Sequence, residues 1–411
     1  MTRGEESPGM AQEATGGIGD RVASLRGLAG MTEQQLAASA GVEVGLLRAV
    51  EHSQAPAGAA LTAAVARALE VEVTALTCQP YEDLVGDPRT RGAGVPALRQ
   101  ALSEHDHPGP VDELLSVEEL RARLDAAARL RYLARTTELC HRLPELLRSL
   151  YVHGERPPRG QRAGEVLAAL LDDAYCLAQV VTYAFGYVDL TGMLGDRRGV
   201  TAAASGDPLR LAAADFARTD LELHRGDYDG CDRRLTRALD SLADQPGDTA
   251  RAVAGQLHLR AAVVAARAGR PGDADAHLAE ARDIIASGVP AHPYLDINCS
   301  QVNADVHAVA IPVELGDAAT AVARAQAVRL PEDDDTECYR VGRCWIDIAR
   351  AWLLHGDHAK ALDALNKARD ISPEQTRYHP WVRETVHIIT EADRRATDSL
   401  TGFAHWAGIT I

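Results

Sequence analysis

Two arginines, Arg343 and Arg350, have the spacing that most directly suggests binding chemistry in this chain. They are seven residues apart in a stretch of helical periodicity, so they lie two turns apart on one helix face. Guanidinium groups pair with carboxylates and phosphates, and these two could hold a carboxylate, a phosphate or a peptide terminus. Asp347 and Glu337 are close enough to pair with them instead. The sequence leaves both interpretations open.

A polar helical stretch precedes these arginines. Residues 294–309 are predicted to form a helix that is unusually polar for a packed hairpin and includes Asn303. Together with Tyr339 and Trp381, this helix could furnish a polar and aromatic pocket for a ligand. A single histidine on a helix, such as His307, is more often hydrogen-bonded structure than a catalyst. The sequence contains no nucleophile elbow, P-loop, dinucleotide fingerprint or HExxH motif, so an enzymatic activity has no positive motif.

One cluster resembles a metal site superficially. His105 and His107 flank Asp106 in a segment rich in Pro and Gly. Imidazoles and carboxylates in such loops are usually solvated, and neither a metal nor another cofactor is predicted. The seven cysteines include no C-x-x-C pair, which argues against a disulfide framework and a zinc cluster. Buried thiols in a reducing cytosol are expected.

The composition predicts the fold class. The 411 residues exceed one ordinary core, aromatic residues make up only 4%, and alanine and leucine dominate. Such a chain is predicted to be all-α, with helices that pack through small residues. A net charge of −16 opposes broad attraction to nucleic acid or anionic membranes. The sequence lacks an apolar signal core and an 18-residue apolar run, so a cytoplasmic protein without a membrane partner is expected.

Residues 18–80 contain several short helical patterns with tight junctions. Thr32 can cap a helix, and Gly41 supplies a sharp turn into a second helix at about residues 43–52. The run T-E-Q-Q-L-A-x-x-A-G-V starts at Thr32, and A-x-A-L-E-V-x-V-x-x-L covers residues 66–76. These runs resemble the Cro/repressor-type (XRE) helix-turn-helix domain, whose second motif helix enters the major groove of DNA.

This resemblance implies that Gln34, Gln35 and Arg48 contact DNA. The local charge argues against DNA binding, because residues 20–80 contain four arginines and six carboxylates. DNA-binding modules normally have an excess of positive charge. A retained fold that packs or dimerises without reading DNA is therefore a second interpretation of this domain.

The remaining segments divide the chain. Residues 1–17 are polar and Gly-rich and are predicted to be a disordered leader, followed by the helix-turn-helix domain at residues 18–80. Residues 81–115 are predicted to be a linker with a short helix that contains V-P-A-L-R. Residues 116–411 are predicted to form helical hairpins, in which Pro144 opens a new helical segment because proline does not fit a helix interior.

A repeat becomes visible when four glycines are aligned, namely Gly226, Gly269, Gly316 and Gly356. The residue five positions later is always small: Cys231, Ala274, Ala321 and Ala361. This pattern resembles the tetratricopeptide repeat, and residues 345–373 match it best. The whole order resembles the actinobacterial class of XRE regulators with tetratricopeptide-like sensor domains. It implies an N-terminal helix-turn-helix domain, an α-solenoid, a small-molecule or peptide ligand, and a homodimer.

The repeat register also implies a ligand-binding surface on the first helix of each hairpin. The residues that it places there are Phe216, Asp220, Gln256, Cys299, Asn303, Val306, Arg343 and Arg350. Separately, Gly192, Gly195 and Gly199 fall on one helix face. Glycines at such positions indicate the close approach of another backbone or of a bound molecule.

Two functions follow from these expectations. The first is a ligand-responsive regulator in which the ligand alters the geometry of a dimer and hence its hold on DNA. The second is a repurposed fold that binds or chemically converts a small molecule, for example as a biosynthetic cyclase, and no longer reads DNA. The acidic helix-turn-helix region and the glycine face favour the second.

Overall fold

The computed structural model describes residues 16–81, 94–111, 114–155, 160–289, 295, 297–331, 337–392 and 398–410. Within these residues the chain is all-helical, which confirms the predicted all-α class. The helices are α1 (Ile18–Leu28), α2 (Glu33–Ala40), α3 (Val44–Glu51), α4 (Ala59–Ala68), α5 (Val73–Thr77), α6 (Val95–Ser103), α7 (Val117–Tyr132), α8 (Thr136–Gly154), α9 (Gln161–Phe185), α10 (Val188–Ser205), α11 (Pro208–Arg225), α12 (Tyr228–Leu242), α13 (Asp248–Arg267), α14 (Pro271–Ala286), α15 (Gln301–Leu315), α16 (Ala318–Ala327), α17 (Cys338–His355), α18 (His358–Ile371), α19 (Pro373–Tyr378), α20 (Pro380–Ala392) and α21 (Asp398–Ala407).

Some of the sequence predictions fall on residues outside this description. Among the residues outside the description are 1–15 of the predicted leader, 82–93 and 112–113 of the predicted linker, and 294 and 296 of the predicted polar helix. The short helix of the linker is α6, and its Leu98 and Leu102 are buried in one core with α7 to α10.

Helices α1 to α5 pack around one core, and we call residues 16–81 the N-terminal unit. Leu36, Leu47, Val65 and Leu76 are fully buried in this core. Gly41 ends α2 with a φ of 67°, a left-handed conformation that glycine adopts without strain. This sharp turn sends α3 back across α2, so both helices share the same apolar centre.

The C-terminal helices, α7 to α21, form a succession of packed pairs. The pairs α9–α10, α11–α12, α13–α14, α15–α16 and α17–α18 each pack together, and α11, α13, α15 and α17 pack side by side. The cores follow one another along the chain, with α13 and α15 each shared by two of them. Each pair therefore packs mainly against the pairs next to it along the chain.

The aligned glycines lie at the turns of these pairs. Gly226, Gly269, Gly316 and Gly356 all have positive φ, between 71° and 85°. The small residues five positions later are all fully buried: Cys231, Ala274, Ala321 and Ala361. Small side chains at these positions allow the paired helices to approach closely.

Two interior prolines do not interrupt their helices. Pro144 lies inside α8, so the prediction that it opens a new helical segment is wrong. Pro312 lies inside α15, where it cannot donate a hydrogen bond to the Ala308 carbonyl. The guanidinium of Arg324 donates to that carbonyl instead, at 3.0 Å. A side chain thus restores the partner that the proline removes.

The polar helix begins later than predicted. Helix α15 starts at Gln301 because Ser300 caps it, with the Ser300 hydroxyl accepting a hydrogen bond from the Asn303 amide at 3.1 Å. Residues 297–299, which precede this cap, are not helical. The periodicity of polar residues therefore placed the start of this helix too early.

Helix α9 is the one described helix that is long and apolar enough to cross a bilayer. It spans 25 residues from Gln161 to Phe185, and 61% of its most apolar window is buried within the fold. It packs against α7, α8 and α10 in a large apolar core. These contacts are those of a core helix and are compatible with a soluble protein.

The N-terminal unit is docked on the C-terminal helices. The buried carboxylate of Glu384 on α20 accepts hydrogen bonds from the backbone amides of Ile18 at 3.1 Å and Ala57 at 3.2 Å. Arg67 donates to the carbonyl of Gly226 at 3.3 Å. These contacts fix the N-terminal unit against α11 and α20.

Candidate functional site

A cavity of about 120 Å³ lies between the N-terminal unit and the C-terminal helices, and we call it the junction cavity. From the N-terminal unit, Ala59, Thr62 and Val73 line it. From the C-terminal helices, its lining includes Tyr183 near the end of α9 and Trp381 at the start of α20. An occupant of this space would therefore contact both parts of the chain at once.

The turn between α9 and α10 forms one wall of the junction cavity. Gly186 ends α9 with a φ of 84°. A Cβ atom at this position would lie 2.6 Å from Cβ of Gln79, so only glycine permits so close an approach of the N-terminal unit. The same turn places Phe185 against Tyr378, with the ring centroids 4.9 Å apart in a T-shaped contact.

Five largely buried residues with alternating positive and negative charges form a row across α13, α15 and α17. We call this row the charge ladder, and its members in order are Arg267, Glu314, Arg350, Asp347 and Arg343. Glu314 accepts hydrogen bonds from Arg267 Nε at 3.0 Å and from Arg350 Nη1 at 2.9 Å. Asp347 accepts hydrogen bonds from Arg350 Nη1 at 2.9 Å and from Arg343 Nε at 3.0 Å. Arg267 and Arg343, at the two ends of the ladder, both line the junction cavity.

The two arginines singled out in the sequence therefore have different surroundings. Arg343 lines the junction cavity, and 28% of its side chain is accessible. Arg350 lies inside the charge ladder and borders a separate small cavity beside Gly58 and Trp381. Both arginines pair with Asp347, which was the second interpretation of their spacing.

The charge ladder sets the protonation of the groups around it. Burial acts to raise the pKa of Glu314, but Arg267 and Arg350 outweigh burial and lower this pKa to about 2. Burial acts to lower the pKa of Arg343, but Asp347 holds it above its ordinary value. Burial likewise acts to lower the pKa of Arg267, but Glu314 holds it above its ordinary value, so both arginines that line the cavity are charged near neutral pH.

Two imidazoles on the cavity wall are neutral. Burial, followed by the positive charges of Arg343, Arg350 and Arg267, lowers the pKa of His379 well below 6.5. Arg343 Nη1 donates to His379 Nε2 at 2.6 Å, so the ring proton lies on Nδ1. Burial, then Arg267, also lowers the pKa of His224, to about 4. Burial is thus the main cause of the lowered pKa of both rings, and the nearby arginine charges add to it.

Sequence reasoning missed Arg267, Glu314 and His224. A signal for them was present in the repeat alignment, because each precedes an aligned glycine by two residues. The glycines are Gly269, Gly316 and Gly226, in the same order. This position lies at the end of the first helix in successive pairs, and the structure brings all three side chains to the junction cavity or to the charge ladder beside it.

A neighbouring cavity of about 80 Å³ shares Tyr183 and Tyr339 with the junction cavity. Phe216 and Asp220, both predicted ligand-binding residues, line it. Arg260 also lines it, donates to Asp220 at 2.6 Å and stacks on the ring of Phe216, 4.3 Å from its centroid. Three of the predicted residues, including Tyr339, are thus brought together around this cavity.

Four other predicted ligand-binding residues do not line either of these cavities. Asn303 is fully buried and donates from Nδ2 to Gln256 Oε1 at 2.7 Å. Cys299 packs beside Gly255, and burial raises the pKa of its thiol to about 11. Val306 belongs to the apolar core of α15 and α17. The Gln256–Asn303 hydrogen bond therefore joins α13 to α15, whereas Val306 packs α15 against α17.

Side chains of α11 cover the glycine face of α10. The position of a Cβ atom on Gly192 would be 3.2 Å from Leu221 Cδ1, and that on Gly195 would be 3.4 Å from Arg218 Cγ. The sequence had left a backbone or a bound molecule as the neighbour of this face. The structure places side chains there, and neither glycine lines the two cavities.

The predicted DNA-contacting residues lie on α2 and α3. Gln34 is exposed, whereas Gln35 Oε1 accepts a hydrogen bond from the Thr32 amide at 2.8 Å in a capping box. Arg48 donates from Nε and Nη2 to Glu33 Oε2, at 2.8 and 2.6 Å. Arg48 remains 50% exposed, and its Nη1 makes no hydrogen bond to the described residues.

Comparison with protein-family models, curated proteins and solved structures gave no match to this chain. Within the described ranges, no three His, Cys, Asp or Glu side chains are grouped so that they could hold a metal ion. The function is therefore inferred from the geometry of the site, because fold alone does not define function.

Proposed function

We propose that this chain is a ligand-responsive transcriptional regulator of the Cro/repressor (XRE) type that acts as a homodimer. The N-terminal unit would be its helix-turn-helix domain. The sharp turn at Gly41 and the burial of Leu36 and Leu47 between α2 and α3 support this assignment. The C-terminal helices would be a tetratricopeptide-like array, supported by the side-by-side packing of α11, α13, α15 and α17.

The junction cavity is the observation that carries this proposal. A small molecule or a short peptide segment bound there would contact α4 and α5 of the N-terminal unit together with α13, α17 and α20. Such a ligand favours the arrangement of the two parts in which all these contacts form. A ligand shifts an equilibrium only by its preference for one state. The ligand therefore changes DNA binding if the arrangement that it favours holds α3 in a different position in the dimer.

The ion pair between Arg48 and Glu33 provides a direct test of DNA binding. Glu33 holds two of the donor groups of Arg48 and adds a negative charge that repels phosphate. The Glu33→Gln substitution removes this charge and releases Arg48 toward DNA. We expect it to tighten DNA binding about fivefold.

The experiment begins with selection of bound sequences from a random pool of duplex DNA by the purified full chain at about 50 mM salt. Gel shifts then compare the wild type with Glu33→Gln, Arg48→Ala and the control Arg237→Ala. Arg237 is exposed on α12 and pairs with Asp215, far in sequence from α3. We expect tighter binding by Glu33→Gln, weaker binding by Arg48→Ala and no change in the control. Failure to enrich any sequence, with identical gel shifts for all four proteins, would refute the regulator.

A second candidate function is a small-molecule-binding protein or biosynthetic enzyme, for example a cyclase, that no longer reads DNA. The pairing of Arg48 with Glu33 favours it, because Arg48 is the one basic side chain of α3. In this case ligands bind the junction cavity, but no DNA sequence is enriched. Incubation of the purified protein with candidate substrates, followed by mass spectrometry, separates a binder from an enzyme.

A further inference from the structure

The two arginines at the ends of the charge ladder retain unused hydrogen-bond donors. Arg343 donates through Nε and Nη1, and no partner among the described residues is found for its Nη2. Arg267 uses Nε and Nη2 for Glu314, and its Nη1 likewise has no partner among those residues. Both side chains line the junction cavity from different helices, α17 and α13. The cavity therefore has two guanidinium groups able to bind an acceptor.

The charges of the ladder do not cancel. Its three arginines face two carboxylates, Glu314 and Asp347, which leaves one positive charge in excess. Glu374 also lines the cavity, but its carboxylate accepts a hydrogen bond from the Thr137 amide at 2.7 Å, at the positive N-terminus of α8. The neutral His379 adds an Nδ1–H donor that has no partner in the described structure. This wall of the cavity is complementary to a single negative charge.

The rest of the cavity is aromatic and small. Tyr183, Phe185, Tyr339, Tyr378 and Trp381 contribute to its lining. Its volume of about 120 Å³ is close to that of a cavity of about 150 Å³ that holds a benzene molecule. A single ring therefore matches the space available between the aromatic side chains and the arginines.

We propose that the ligand of the junction cavity is a monocarboxylate with one aromatic ring, and this inference rests on the proposed ligand-responsive function. The carboxylate accepts hydrogen bonds from Arg343 and Arg267. The ring packs between Tyr339 and Trp381. The excess charge of the ladder distinguishes the acid from a neutral compound of the same shape.

The test uses benzoate and benzamide, which have the same shape and differ in charge. Isothermal titration calorimetry on the full chain measures the dissociation constant of each. We expect benzoate to bind about 10- to 100-fold more tightly than benzamide, because hydrogen bonds to a charged acceptor are lost with the amide. Inorganic phosphate, an anion without a ring, is expected to bind more weakly than benzoate.

Variants connect this preference to the named residues. Arg343→Gln is expected to abolish the preference for benzoate, Arg343→Lys to retain part of it, and the exposed control Arg237→Ala to leave it unchanged. Circular dichroism verifies that each variant is folded, and Arg267→Gln supplies an independent variant if Arg343→Gln unfolds. Each of these two glutamine variants removes one guanidinium from the cavity wall.

Several results would overturn the inference. They are equal binding of benzoate and benzamide, no binding of either at millimolar concentration, tighter binding of phosphate than of benzoate, and an unchanged preference in both glutamine variants. These results leave DNA binding untouched, because the regulator is tested separately by DNA selection. Conversely, benzoate binding without an enriched DNA sequence refutes the regulator and supports this ligand class.

Discussion

Replacement of Glu314 by glutamine tests the charge ladder directly. The Glu314 side chain is 2% exposed and is the only ladder carboxylate that pairs with Arg267. The glutamine side chain has nearly the same size as that of glutamate but carries no charge. Arg267 and Arg350 then lose an ionic partner while they stay largely buried, and burial of an incompletely compensated charge destabilises the fold.

The expected magnitude follows from the pKa of Glu314. This pKa falls from its ordinary value of 4.5 to about 2 in the folded protein, and each pKa unit corresponds to about 1.4 kcal/mol. The ionised carboxylate therefore contributes about 3 kcal/mol to the free energy of unfolding at pH 7. Loss of one partner from a buried pair typically costs about 3–5 kcal/mol, which is consistent with this value.

The pH dependence has a definite sign. Because the folded pKa is lower than the unfolded one, the unfolded chain binds the proton more tightly. The contribution of Glu314 is complete above pH 4.5 and is lost as the pH falls toward 2. The difference in stability between the wild type and Glu314→Gln should therefore be largest at neutral pH and shrink in acid.

Urea unfolding followed by tryptophan fluorescence is the appropriate assay, since all four tryptophans lie between α17 and α21. The matched control is Glu145→Gln, which breaks the exposed ion pair with Arg123 and should cost less than about 1 kcal/mol. If Glu314→Gln changes the unfolding free energy no more than the control does, the ladder makes no net contribution and the reasoning is refuted.

Two further predictions concern packing and capping. Gly19→Ala should destabilise the protein by about 1–3 kcal/mol, because the new methyl group would clash with the Val50 carbonyl oxygen. Gly27→Ala, in the same helix, places its methyl group in open space and should stabilise α1 by about 0.5–1 kcal/mol. Thermal unfolding of both variants distinguishes them, and equal shifts would contradict the proposed close approach of α1 and α3. Ser116→Ala removes a capping box with Glu119 at the start of α7 and should cost about 1 kcal/mol by urea unfolding, whereas Ser116→Thr should cost little.

Local features of the fold were accessible from the sequence. The aligned glycines, including Gly316 and Gly356, end the first helices of their pairs with positive φ because that conformation is strained for other residues. Asp317 and Asp357, which directly follow these two glycines, cap the next helices by accepting hydrogen bonds from the backbone amides of Thr320 and Lys360. Asp273 does not cap. It lies within α14 and pairs with Arg270 at 3.3 Å, because Pro271 occupies the first position of that helix.

The candidate site was only partly accessible from the sequence. The repeat register predicted that Arg343 belongs to a ligand-binding surface, and the structure shows that this residue lines the junction cavity. The cavity itself could not be predicted from the sequence, because it exists only where the N-terminal unit docks on α20 through Glu384. Likewise, no local pattern joins Arg267 to Glu314, which are 47 residues apart. Contacts between distant segments depend on the packing of whole helices and not on local spacing.

The hydrogen bond between Ile18 and Glu384 has a consequence for biosynthesis. These residues are 366 positions apart, so the first helices leave the ribosome long before their docking partner exists. At about 5–20 residues per second, this interval lasts roughly 20–70 s. During it the surface that later meets α20, including the amides of Ile18 and Ala57, is exposed on the nascent chain. The N-terminal unit therefore has to remain soluble by itself until translation reaches α20, and in this period it is accessible to chaperones and proteases.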